Sequence, residues 1–130
     1  MFYEQHKDWI TEQEHTDIIK SVVLADKWSF GQTSDDSRYD LNFPMWTQGF
    51  FKVKDQQFTQ HTPDIIKTIS LRFVAQCPED YVLIRSMACA NTFGLDGDFH
   101  TDWPSPDKSV TGVLYTDRTW ERNWGGDTTF

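Results

Sequence analysis

At 130 residues the chain is one domain at most, of a size that can bury a core; 38 % of it is hydrophobic, and six Trp and ten Phe supply large apolar surfaces. A formal net charge of −8 leaves no electrostatic footprint for phosphate backbones, which argues against nonspecific nucleic-acid binding. No apolar run approaches the length of a membrane span, and MFYEQHKDWI lacks the apolar stretch of a secretory leader, so the expectation is a cytoplasmic protein with no membrane partner.

The first helix is marked by Thr11 and, three residues on, Glu14, the two side chains of a capping box. Ile18, Ile19, Val22 and Val23 then share one apolar face that ends before Lys27. Residues 28–58 read as irregular, with a polar loop at 34–40 and one or two strands in the aromatic-rich NFPMWTQGFFKV. A second helix is expected from Thr62, with Pro63 at its first position, where a missing N–H costs nothing. It would carry Ile65, Ile66, Ile69 and Phe73 inward and stop near Cys77-Pro78.

Beyond that point the pattern turns extended. Residues 81–88 read as a buried strand, and 98–102, 110–116 and 126–130 as shorter ones between turns. Helices first and antiparallel strands afterwards predict an α+β fold with helices backing a sheet. The expected division is 1–78 as helical support and 79–130 as the first strands. Cys77 and Cys89 do not form a C-x-x-C and read as reduced, half-buried thiols.

Three of the four histidines begin an H-x-D: His6-Lys7-Asp8, His15-Thr16-Asp17 and His100-Thr101-Asp102. In a strand, residues i and i+2 point to one face, roughly 7 Å apart, and can converge on an ion. In a helix they stand about 200° apart around the axis and cannot. His15 and Asp17 fall inside the capped helix, where His15 extends the polar first turn, and His6 and Asp8 lie in the lead to it. Only His100 and Asp102 sit in extended sequence, after Gly94 and Gly97 and before a Pro-rich loop. A surface His and an Asp opening a Trp-Pro turn would serve as well without any metal. An EF-hand at Asp96-Gly-Asp98 fails, because its sixth position is Thr101 and its twelfth Asp107.

The rest of the stretch resembles the core of the prolyl 4-hydroxylase-like branch of the 2-oxoglutarate/Fe(II) oxygenases. That core runs H-x-D, then T-x-x-x-Y-x-N, a Trp, and G-G-x-T-x-F. Here the pieces are His100-Thr-Asp102, Thr111-Gly-Val-Leu-Tyr115-Thr-Asp117, Trp120, and Gly125-Gly-Asp-Thr-Thr-Phe130. The resemblance implies a double-stranded β-helix, a jelly roll with helices packed on one side. It implies Fe(II) in a 2-His-1-carboxylate triad, with His100 and Asp102 as the first ligand and the carboxylate. It implies 2-oxoglutarate as cosubstrate, ascorbate as an accessory cofactor, and hydroxylation of a small molecule or peptide. Tyr115 matches the tyrosine that meets the far carboxylate of 2-oxoglutarate, and reads equally well as an inward barrel aromatic. A neutral imidazole with an acceptor-only carboxylate suits Fe(II) better than a thiolate-loving ion. By position in the sequence, Trp103 and the loop to Lys108 are expected to form a lid over the open coordination positions.

In that family the distal His and the basic 2-oxoglutarate anchor lie some tens of residues beyond G-G-x-T-x-F, and none of His6, His15 or His61 occupies the matching place. A jelly roll needs about eight strands, and four or five are countable after residue 80. The expectation is therefore the N-terminal part of a longer oxygenase, inactive by itself. The alternative is a non-catalytic jelly-roll binding or assembly module completed by a partner chain, or by self-association through an open sheet edge. A cupin-like sugar-binding or isomerase scaffold is a third reading, which Tyr115 and GGDTTF argue against.

Overall fold

The computed structural model describes residues 4–32, 44–92, 102 and 108–125. Helix α1 (Glu12–Ile18) starts as its sequence predicts. The Thr11 hydroxyl accepts from the Glu14 N–H, and the Glu14 carboxylate accepts from the Thr11 N–H, so two otherwise orphaned amides are satisfied reciprocally. The helix continues into a π-helical stretch, Ile19–Val23, closed by the Leu24 N–H donating to the Ile19 carbonyl. Ile18 and Val22 are buried, while Val23 has drifted off the apolar face and is exposed.

Four strands form one antiparallel sheet: β1 (Ser29–Gln32), β2 (Met45–Lys52), β3 (Gln57–Phe58) and β4 (Arg85–Ala90). β2 is the organising strand. β4 pairs along one edge of it, from Trp46↔Ala90 to Lys52↔Arg85, so β1 and β3 share the other edge, at opposite ends. The β1 register breaks between Phe30 and Gln32, at Gly31, whose φ of 117° lies in the left-handed region that a side chain would strain. The fold class is thus mixed α+β, as expected, but in a different order: three strands precede α2 (Asp64–Ala75), and among the described residues one strand follows residue 80.

Other expectations shift in detail. Helix α2 begins at Asp64, with Pro63 as its cap, because the Thr62 side chain is used elsewhere: its hydroxyl is buried and donates to the Phe50 carbonyl at 3.0 Å. Residues 81–84 are not strand; pairing starts at Arg85, and β4 is half-buried at its centre rather than buried throughout. The strand expected at 110–116 does not form, and residues 111–117 run without regular secondary structure. Gly112 instead lies against α2, so close that a Cβ there would stand 2.8 Å from the Phe73 ring. The strands expected at 98–102 and 126–130 lie outside the described residues apart from Asp102, which sits in a bend. Cys77 is half-buried and Cys89 exposed, both as free thiols.

The core brings both helices onto the sheet face that carries Gln48, Phe50, Ser86 and Ala88. Ile18, Val22, Phe50 and Ile66 are its buried apolar members, with Ile10, Trp28, Ile65, Ile69 and Ala88 packed around them. Polar groups on that face are satisfied: the Gln48 amide donates to the Val22 carbonyl at 2.8 Å, and the Ser70 and Ser86 hydroxyls meet at 3.0 Å.

Arg72 joins the two helices. Its guanidinium grips both oxygens of Glu14, lies 5.3 Å from the Trp9 ring centroid and donates to the Trp9 carbonyl. The Arg72 hydrogen bond, and then the one from the Thr11 amide, hold the Glu14 carboxyl down at about 2, from an ordinary 4.5. A folded-state value below the unfolded one stabilises the protein above about 4.5, and that contribution is lost as pH falls towards 2. Glu14→Gln keeps the capping shape and removes the charge. It should melt several degrees below the parent at neutral pH, with the gap closing between pH 4.5 and 2; melting curves across that range check it. Arg72 is 34 % exposed, and solvent screening keeps the effect to degrees rather than collapse.

Candidate metal centre

Asp102 is the expected ligand that the structure describes; His100 lies outside the described residues, as does the loop from Trp103 to Asp107. Among the described residues, Thr111 and Arg85 both reach the Asp102 carboxylate. The Thr111 hydroxyl donates to Oδ2 at 2.7 Å, and the Arg85 guanidinium, at the start of β4, stands 3.6 Å from Oδ1. The neighbour of Thr111, Gly112, lies close against the Phe73 ring of α2. The Arg85 backbone is paired with Lys52 at the end of β2, while its side chain is half exposed. The carboxylate side chain is 35 % exposed, so it is accessible from solvent while its orientation is set.

This arrangement fits a metal ligand in donor chemistry. A carboxylate tied through one oxygen by a hydroxyl is oriented in the way that partners behind a metal ligand ordinarily provide. Among the described residues no three His, Cys, Asp or Glu side chains converge, so the triad is not assembled from them. Cys89 is close enough to feel both Arg85 and Asp102, but partial desolvation pushes its thiol up, Arg85 only partly offsetting this, and it stays protonated at neutral pH.

The other histidines are engaged elsewhere. His6 bonds Glu4 at 2.9 Å, and His61 bonds the Gln60 amide at 3.0 Å. His15 does more than extend a polar turn: its Nε2–H donates to the Thr116 carbonyl at 2.7 Å, in a half-buried contact. A second tie follows, Arg118 to Glu12, and it lowers the Glu12 carboxyl. The segment after Thr111 is therefore laid across α2 and then α1. Beside these ties His15, Ile19 and Val23 face Thr116–Thr119 across an open, largely apolar recess of about 280 Å³.

Tyr115, the expected cosubstrate contact, is 61 % exposed. Trp120 of the motif donates its indole N–H to the Gly125 carbonyl at 2.8 Å and meets Trp124 edge-on, with centroids 5.4 Å apart. Sequence reasoning missed Arg85. Its signal was a lone cation inside the apolar run Tyr81–Ala88, a place where a charge needs a partner.

Compared with family models, curated proteins and solved structures, the chain matches none. No helix among the described residues is long and apolar enough to cross a membrane.

Proposed function

We propose that this chain carries two ligands, His100 and Asp102, of an Fe(II)- and 2-oxoglutarate-dependent oxygenase of prolyl 4-hydroxylase-like type. The observation that supports it most is the Asp102 carboxylate, oriented by Thr111 and charge-balanced by Arg85, at the place in the motif order where a carboxylate ligand belongs. Thr111 is itself the first residue of the T-x-x-x-Y element. His6, His15 and His61 each bond another group, so this reading takes none of them as a ligand.

Fe(II) with 2-oxoglutarate and O₂ would supply the oxidation of a C–H bond in a small molecule or peptide. The chain's own contribution is to present one carboxylate and one imidazole as donors and to hold the carboxylate's orientation. Tyr115 would offer its hydroxyl to the far carboxylate of 2-oxoglutarate. Titration with Co(II), followed by its d–d absorption, tests the ligand assignment. Bands should grow in the parent chain and be lost in both His100→Ala and Asp102→Asn. A parent chain without bands, or bands that survive in both variants, would sink the proposal.

A further inference from the structure

The Asp102 carboxylate is held from two sides by groups of different chemistry. On Oδ2 sits the Thr111 hydroxyl, a neutral donor at 2.7 Å; towards Oδ1 points the Arg85 guanidinium, a cation at 3.6 Å. The two come from separate parts of the fold, one from the segment pressed on α2 and the other from the first position of β4. From this geometry we infer that Thr111 is the positioning residue of the metal site and that Arg85 occupies the place of the metal's charge. The inference rests on the reading of Asp102 as a ligand.

The argument is electrostatic and geometric. A carboxylate that accepts a short hydrogen bond on one oxygen cannot rotate freely about its Cβ–Cγ bond, so its other oxygen is aimed. The aimed oxygen is the one that faces Arg85. A divalent ion reaching Oδ1 would meet the Arg85 cation a few ångströms away, and like charges at that distance repel until the side chain moves aside. Arg85 is 52 % exposed and lies beyond hydrogen-bond distance of Oδ1, so its side chain can swing into solvent at small cost as the ion arrives. Thr111 therefore favours metal binding and Arg85 opposes it. Without metal, both keep an acidic side chain from standing uncompensated.

Opposite signs at two residues touching one carboxylate make the test sharp. Mn(II) binding to the 130-residue chain is read from water-proton relaxation, which detects weak sites with open coordination positions. Thr111→Val, which keeps the shape and removes the hydroxyl, should weaken Mn(II) binding about tenfold. Thr111→Ser should restore it. Arg85→Gln should tighten binding about threefold, the reverse of what loss of a stabilising contact would give. Melting temperatures in chelator should agree between the parent and both Thr111 variants, which separates positioning from support of the fold.

Asp102→Asn distinguishes the two levels of failure. If Asn at 102 binds Mn(II) like the parent, or the parent takes up none, the ligand reading is wrong and this inference falls with it. If Asp102→Asn abolishes binding while Thr111→Val leaves it unchanged, the ligand stands and the positioning role is overturned. A Thr111→Val protein that melts early in chelator, with no recovery of binding in Thr111→Ser, assigns Thr111 to folding and overturns the inference equally. Weaker binding in Arg85→Gln overturns the opposing role of Arg85.

Discussion

Phe50→Ala is expected to cost about 3–5 kcal/mol, the range for deleting a buried phenylalanine ring. Against a total of about 5–15 kcal/mol for an ordinary domain, that leaves little folded protein in reserve. Phe50 is 4 % exposed and is the largest of the four buried apolar residues that join α1, β2 and α2. Strand alternation puts it on the same face as buried Gln48. The β2–β4 register slips between Gly49 and Phe51, where Phe51 pairs with Ser86, so a bulge falls at Phe50. Phe51 is left half-buried, its ring 5.2 Å from Phe58. The Phe50 carbonyl is used as well, accepting from the Thr59 N–H and the Thr62 hydroxyl, and this ties the approach to α2 onto the bulge. Ile66→Val, a smaller deletion in the same cluster, should cost about 1 kcal/mol. Urea midpoints decide it: a Phe50→Ala midpoint no lower than that of Ile66→Val would mean that the core is centred elsewhere.

What could be read in advance divides by how local the physics is. The Thr11–Glu14 capping box was legible to the atom because both partners lie within one turn. The inward positions of α2 were legible through spacing, as Ile66 in the core shows. β2 was harder to see. Its bulge breaks the alternation that marks a strand, and buried Gln48 stands where an apolar residue would be expected, its amide taken by the end of the first helical segment. The π-helical stretch adds a residue to a turn for no visible local reason, so the predicted position of Val23 slipped off the apolar face. Residues 110–116 carry the apolar content of a strand, but composition says nothing about a partner, and the observed one is the Phe73 ring. At the candidate site the H-x-D pair was visible as spacing in the sequence. The groups that orient its carboxylate, Thr111 and Arg85, are brought there by a crossing over α2 and by a strand pairing, neither of which spacing encodes.

Gly112→Val should destabilise the protein by about 1–3 kcal/mol, the usual cost of forcing extra methyl groups into a packed contact. A Cβ at this position would stand 2.8 and 2.9 Å from two ring carbons of Phe73, so either the ring or the segment must move. The ring is the less free of the two, because Phe73 is half-buried on α2 and its backbone carbonyl accepts from the Cys77 thiol. Beyond that point His15 donates to the Thr116 carbonyl and Arg118 pairs with Glu12. Arg118 is 43 % exposed and Glu12 85 %, so the second tie resists little. Lifting Gly112 would thus pull on the His15 bond and on Thr111 at once. The expected result is a lower melting temperature, a shift of the His15 ring protons by NMR, and weaker Mn(II) binding at Asp102, all in one variant. Phe73→Leu, which clears the space, should restore all three in the double mutant. If instead the double mutant is as unstable as the two single changes summed, the glycine and the ring are not in contact.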